Sequence, residues 1–393
     1  MATMTWINFP APVKPSELVL NRIARRLLRL VPTRVYEQLI RRDVVGLCYH
    51  LVSDAPPAHA AHIVPCKTPQ MFEQDLRYLR DNYDVVGYDE VCGMRREGQK
   101  GRRPAVVITI DDGYRECFTE IRPLLLKYEL PAIFFLTTEF IDNRRLFYRN
   151  LVSLCIDSVQ RAPEKRQREL LQQLSWQVGR TFSDTLDFVR WVKQLTRHDS
   201  EPLKLVSQLL NIDQAKYLED QRPYLTREEI QHLQSEGFTI GAHSCTHRRL
   251  GKDSSSDELK SEITSSCEAI AQLTNRADVP FAFPFSGDDV ERNELAIIRQ
   301  ERDAVGLIFD RRGFRRDEDF VVHRIIADSQ KNALQNSNVP RLIRTEYQSE
   351  LRAGFRDRFG KRAKHNLASN SNKIRRAALA ERQAPVTHTA DRS

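Results

Sequence analysis

Ala105-Val106-Val107-Ile108-Thr109-Ile110-Asp111-Asp112-Gly113-Tyr114 is the stretch that decides the fold. Its first six residues form an unbroken run rich in β-branched side chains. That is the pattern of a strand buried on both faces, as in a parallel sheet covered by helices. Two adjacent carboxylates and a glycine follow at once. Charges at the mouth of an apolar strand are costly without partners. The pair therefore reads either as a helix cap beside a surface acid, or as a site where one carboxylate holds a metal and its neighbour takes a proton.

Further apolar runs flank this one. Val44–Tyr49, Ala132–Thr137, Phe238–Ala242, Pro280–Phe285, Ala304–Phe309 and Phe320–Ile326 read as strands. Helical patterns stand between them: Thr68–Asn82, Thr226–Glu236 with the capping-box pair Thr226 and Glu229, and Ser256–Leu273. Strand and helix in alternation predict parallel α/β architecture. Residues 144–220 break the rhythm, being rich in Leu, Gln, Arg and Lys, and read as an insertion of several helices. It is either a lid or specificity module or a structural embellishment. Before the first strand, Ser16 can cap a basic amphipathic helix running to about Val31, and Thr33 a short one to Ile40. The first helix could rest on a membrane surface or pack on its own domain.

A second chemical segment is Gly241-Ala242-His243-Ser244-Cys245-Thr246-His247, also directly after a strand. Histidines four apart are expected on one side of a helical turn, where they can share a metal. Both segments leave strand C-termini, where α/β active sites form. One aspartate and two histidines make an open catalytic metal set. A third segment, Phe281-Ala282-Phe283-Pro284-Phe285-Ser286-Gly287, can wall a pocket or pack in the core.

Thr-Ile-Asp-Asp-Gly followed by His-Ser-Cys-Thr-His resembles the polysaccharide deacetylase family, also called carbohydrate esterase family 4 or the NodB-homology group. The resemblance runs over roughly residues 43–330. It implies an irregular (β/α)7 barrel-like fold for a catalytic domain over 43–350; the residue pattern itself sets apart 1–42 as an N-terminal amphipathic helical segment and 351–393 as a basic tail, either disordered and solvated or a weak anchor for anionic surfaces. It implies Asp111 as general base and Asp112, His243 and His247 as ligands of a divalent metal. Zinc is the default, and cobalt, nickel or iron accept the same ligands. Ala282 stands where the family usually has the arginine that orients the base. Phe285 holds the position whose backbone N–H serves the oxyanion, with Pro284 and Tyr114 placed beside the substrate. For the general acid, His50 in Leu-Cys-Tyr-His-Leu-Val is preferred to His323 in Val-Val-His-Arg. The implied reaction is deacetylation of an N-acetylated saccharide: a polysaccharide, a glycan precursor or a lipid-linked saccharide. A small-amide hydrolase and a non-catalytic carbohydrate-binding relative are the alternatives.

With 29% charged and 40% hydrophobic residues in 393, the composition is that of an ordinary soluble protein, not a disordered or membrane-spanning one. The formal net charge of +8 lies wholly in residues 351–393, which carry 11 Lys/Arg against 3 Asp/Glu, so the body is balanced and no nucleic-acid partner is expected. Seven cysteines without a C-x-x-C pair suit a reducing compartment. With no signal-peptide pattern and no apolar run of membrane-spanning length, the expected location is cytoplasmic, and the basic N-terminal helix leaves peripheral membrane contact open as the alternative to packing on its own domain.

Overall fold

The structure, a computed structural model, describes residues 31–40, 44–97, 103–196, 199–311, 313, 317–328 and 339–352. The expected helix at 16–31 therefore falls outside the described residues except for Val31, as does the basic tail beyond 352. No helix among the described residues is long and apolar enough to cross a membrane. The chain divides into two compact units, Arg41–Ile343 and, separately, Met1–Ile40 with Arg344–Ser393. Of the latter, α1 (Thr33–Ile40) and helical residues 344–352 are described.

The larger unit begins with β1 (Val44–Tyr49), then the short pair β2 (Leu51–Val52) and β3 (Cys66–Lys67), α2 (Pro69–Asn82), β4 (Asp84–Val85) and α3 (Tyr88–Glu97). Thr68 caps α2 by accepting from the Met71 N–H, and Pro69 occupies the first helical turn, where its missing N–H costs nothing. The decisive run is β5 (Ala105–Ile110), followed by a π turn, α4 (Arg122–Lys127) and β6 (Ile133–Leu136). The insertion is helical throughout: α5 (Tyr148–Arg161), α6 (Glu164–Val178), α7 (Thr185–Val192), α8 (Ser200–Leu209) and α9 (Gln214–Gln221). The barrel rhythm resumes with α10 (Arg227–Ser235), β7 (Thr239–Ala242), α11 (Ser256–Thr274), β8 (Val279–Ala282), α12 (Arg292–Glu301), β9 (Val305–Asp310) and β10 (Val321–Ile326). The expected capping box of Thr226 and Glu229 starts α10, and Ser255 with Glu258 starts α11 in the same way.

Every strand pairs in parallel. The order β1-β10-β9-β8-β7-β6-β5 closes on itself because β1 also pairs β5, from Val44 against Ala105 to Tyr49 against Ile110. Seven strands thus form a barrel. Short β4 sits beside the first half of β5, and β6 beside its last residues. Phe135 of β6 meets Phe309 of β9, ring centres 5.1 Å apart, although β7 and β8 stand between them, so the two rings pack inside the barrel. Val44, Val107 and Val322 belong to the same buried cluster, and Tyr88 of α3 closes it from below, accepting from Leu307 N–H and donating to Asp278. On this inward-facing parity Val322 is followed by Arg324, while His323 points to the other side.

Gly46 makes that arrangement possible. It pairs with Arg324 of β10 on one side of β1 and with Val107 of β5 on the other. A Cβ on Gly46 would lie 2.6 Å from Arg324 Cγ and 2.9 Å from the His323 carbonyl oxygen. A glycine within a strand marks such close approaches. Gly46→Ala is expected to cost about 1–3 kcal/mol, the usual price of overpacking a filled interior. Denaturant unfolding that leaves the midpoint unmoved would show that the crossing has more room.

Candidate active site

The C-terminal ends of the strands open onto one cavity of about 210 Å³, whose wall includes His50, Asp111, Asp112, His243 and His247. Each stands just beyond a strand: His50 after β1, the aspartates after β5, the histidines after β7. Ordinary pockets for drug-sized ligands span about 300–1,000 Å³. The space suits one small group rather than a long enclosed chain.

Asp112 faces both histidines, with Oδ1 2.8 Å from His247 Nε2 and 3.5 Å from His243 Nε2. One donor atom from each residue lies within 4.8 Å of the others, as three ligands of one cation require. His243 Nδ1 donates to the Ala282 carbonyl at 2.9 Å, which leaves its Nε2 lone pair turned to the cavity. His247 is oriented differently. Its ring packs against Phe147 at 4.6 Å and Phe285 at 5.3 Å, and its buried Nδ1 has no hydrogen-bond partner among the described residues. The residues therefore fit a divalent metal. Burial alone would raise the Asp112 carboxyl, but His247 and hydrogen bonds to both imidazoles hold it well below the usual carboxylate range.

The histidines do not share a helical turn, contrary to their spacing. Residues 243–249 form a loop in which Ser244 (φ 61°) and His247 (φ 55°) are left-handed. Glu262 of α11 holds this loop by accepting from the N–H groups of Cys245 (2.9 Å) and Thr246 (3.1 Å) and from the Thr246 hydroxyl (2.7 Å). Asp112 (φ 74°) and Phe285 (φ 63°) are left-handed too. For a bulky residue such as phenylalanine that backbone is a genuine outlier, and outliers of this kind concentrate at functional sites.

Asp111 lies deeper and has different company. Arg324 grips it with two hydrogen bonds, 2.6 Å to Oδ1 and 2.9 Å to Oδ2, and also donates to Thr109 Oγ1 at 3.0 Å. The Cys48 thiol adds a third bond to Asp111 Oδ2 at 3.3 Å. Burial, then the Asp111 charge, pushes that thiol up, so it stays protonated and donates. Burial acts upward on Asp111 as well. The Arg324 charge and then His243 overcome it and keep the carboxylate ionised. Cys48, His50 and Asp111 also converge closely enough to hold a cation, but the guanidinium already supplies the positive charge there.

His50 is fixed from just beyond β10. The Asp328 carboxylate accepts from its backbone N–H at 2.7 Å and from Nδ1 at 3.0 Å, leaving Nε2 for the cavity. Burial disfavours the imidazolium, yet Asp328 and then Cys48 raise the His50 pKa well above its ordinary value. His323, the other histidine considered, does not line the cavity. Its Nε2 meets Asp317 at 2.9 Å, and burial lowers its pKa.

Of the three residues placed beside the substrate, Phe285 and Tyr114 line the cavity and Pro284 does not. The Tyr114 hydroxyl is engaged by Asn150, which donates to it at 3.0 Å and to the His59 carbonyl at 2.8 Å and accepts from Tyr224 at 2.6 Å. Asn150 belongs to α5, so the insertion is keyed to the Asp-Asp-Gly-Tyr loop. It also lends Phe147 and Arg149 to the cavity wall. Sequence reading passed over Arg324 and Asp328. An arginine in the middle of the apolar strand Val-Val-His-Arg-Ile-Ile was the available signal, since a buried charge demands a partner.

The family profile described as polysaccharide deacetylase matches residues 98–300, just over half of the chain. The chain belongs to the polysaccharide deacetylase family. Over 100 residues it is 29% identical to the poly-beta-1,6-N-acetyl-D-glucosamine N-deacetylase of Escherichia coli (strain K12), an alignment covering 25% of this chain and 14% of that protein. Among solved structures, IcaB from Ammonifex degensii superposes with a TM-score of 0.47 at 14% identity, covering 78% of this chain and 97% of that one. The Streptococcus pyogenes deacetylase PplD in complex with acetate gives 0.47 at 15%, covering 72% and 91%. The stretch matched to the polysaccharide deacetylase profile holds Asp111, Asp112, His243 and His247. It stops short of β10 and begins after β1, the strands that bring Arg324, Asp328 and His50. Where this polysaccharide deacetylase has Ala282, the expected arginine is missing, and Arg324 reaches Asp111 from β10 instead.

Proposed function

We propose that this chain hydrolyses the N-acetyl group of an N-acetylated saccharide with a divalent metal, zinc by default, held by Asp112, His243 and His247. The observation that carries the reading is the meeting, in one cavity, of that ligand set with an ionised Asp111 and a protonated His50. Bound there, the metal supplies Lewis acidity, polarising an acyl oxygen and acidifying a water. Asp111 takes the proton of the attacking water, with Arg324 and Cys48 holding its carboxylate in place. His50 gives a proton to the departing nitrogen. The Phe285 N–H, which has no protein acceptor among the described residues, is the backbone donor for the oxyanion. The named substrate of the Escherichia coli relative, a polymer of N-acetylglucosamine, supports a saccharide as the acyl carrier.

The test is direct. Metal-stripped protein is reloaded separately with zinc, cobalt, nickel or ferrous iron and incubated with N-acetylglucosamine oligomers and with small amides. Acetate is expected from the saccharides, accompanied by a new primary amine. Acetate from none of them, or faster turnover of the small amides, would overturn the reading.

His50 also sets a pH dependence. Its raised pKa keeps the acid form present at low and neutral pH, and that contribution is lost as pH rises through the raised value. Asp328→Asn removes the charge responsible, so the falling limb of the rate profile is expected to move to lower pH. A limb that stays in place in the variant would assign it to another group.

A further inference from the structure

Three guanidinium groups lie in the cavity wall or against its Phe285 ring without a carboxylate partner among the described residues. Arg149 comes from α5, Arg249 from the loop after His247, and Arg311 from the residue after β9. Arg149 and Arg311 line the cavity itself. Arg149 and Arg249 both lie over the ring of Phe285, at 6.0 and 5.7 Å from its centre. That ring abuts His247. A single aromatic ring therefore separates each of these two guanidiniums from a metal-ligand candidate.

None of the three pairs with a carboxylate among the described residues. Five of the seven other described arginines of the insertion do: Arg145 with Glu139, Arg161 with Asp157, Arg166 with Glu169, Arg168 with Glu164 and Arg180 with Asp187. The two carboxylates within the cavity are already committed. Arg324 holds Asp111, and Asp112 faces the histidines. Lys193 adds to the surplus, its ammonium pKa lowered by burial and then by the neighbouring Arg149 charge. Like charges gathered without counter-charge are unfavourable in the free protein, and a concave site lined by one sign draws ligands of the other. Guanidinium is also the side chain that matches carboxylate and phosphate oxygens two at a time.

Building on the deacetylase reading, we propose that the saccharide carries an anionic group, carboxylate or phosphate, beside its N-acetyl group, and that Arg149, Arg249 and Arg311 bind it. A neutral N-acetylglucosamine polymer is then turned over, but more slowly than an anionic saccharide. The insertion, through Arg149, is a specificity element.

Acetate release by the metal-loaded full chain is compared on three substrates: neutral N-acetylglucosamine oligomers, N-acetylglucosamine 1-phosphate, and an oligosaccharide of N-acetylglucosamine alternating with glucuronate. In parallel, binding of the same three is measured by calorimetry on the metal-stripped chain, which cannot turn them over. At least one anionic substrate is expected to exceed the neutral one about tenfold or more in kcat/KM, and the better of the two identifies the anion. Arg149→Gln and Arg311→Gln should each erase about tenfold to a hundredfold of that preference through KM. Arg168→Gln, an equal loss of charge away from the cavity, should erase none. Equal rates on all three substrates would overturn the anion proposal and leave the deacetylase reading standing. Acetate from no substrate would overturn the deacetylase reading, and the binding arm would then decide the anion preference alone: tighter anionic binding lost in Arg149→Gln supports it, equal binding refutes it.

Discussion

Asp112→Asn is expected to yield a folded chain that holds no stoichiometric divalent metal and releases no measurable acetate. Asparagine is the informative replacement because Asp112 has a left-handed backbone, φ 74°, which asparagine tolerates and alanine does not. The fold should therefore survive while the ligand charge disappears, whereas Asp112→Ala adds backbone strain to the same loss. Removing a group that only orients a metal ligand costs about 10–100-fold in affinity or activity. Losing the sole carboxylate of the set should exceed the upper figure. His243→Ala is expected to behave alike. Metal content by elemental analysis, circular dichroism and acetate release provide the check. A variant of native fold that keeps both metal and turnover would remove Asp112 from the site.

Arg324→Met is expected to destabilise the chain by about 3–5 kcal/mol, because it strands the buried Asp111 carboxylate without its cation. Both side chains are almost wholly buried, at 3% and 4% exposure, so solvent screens little of the loss. The same change should cripple turnover, since an uncompensated buried carboxylate takes up a proton and can no longer act as a base. The double variant Arg324→Met with Asp111→Leu separates the two effects. Apolar replacement of both partners should recover much of the stability and none of the activity. Chemical unfolding in which Arg324→Met matches the parent chain would show that the two-pronged pair does not form in solution.

Local signals carried the sequence reading far and then ran out at identifiable places. Ala105–Ile110 and Val44–Tyr49 are strands at the residues expected, because continuous apolar runs need both faces covered. Thr226 and Glu229 marked a helix start because a capping box is made within four residues. The insertion was legible as helical, but its grip on the catalytic loop through Asn150 and Tyr114 was not, since those residues are 36 apart. The histidine spacing predicts a helical turn where the structure has a loop. Spacing gives the distance between two side chains, whereas the left-handed turns that bring them together depend on Glu262 in the next helix. Arg324 escaped for the same reason. Its partner is 213 residues away, and only closure of the barrel, with Gly46 leaving the passage open, lets them touch.

That closure also orders the birth of the enzyme. A ribosome releases the aspartates and both cavity histidines well before β10, and at about 5–20 residues per second several seconds pass before Arg324 and Asp328 emerge. Until then β1 lacks one neighbour, Asp111 has no guanidinium, and His50 has no carboxylate to keep it charged. A chain cut short before β10 lacks both the cation that holds Asp111 and the carboxylate that charges His50, so the proposed base and acid are set only when the ring is finished.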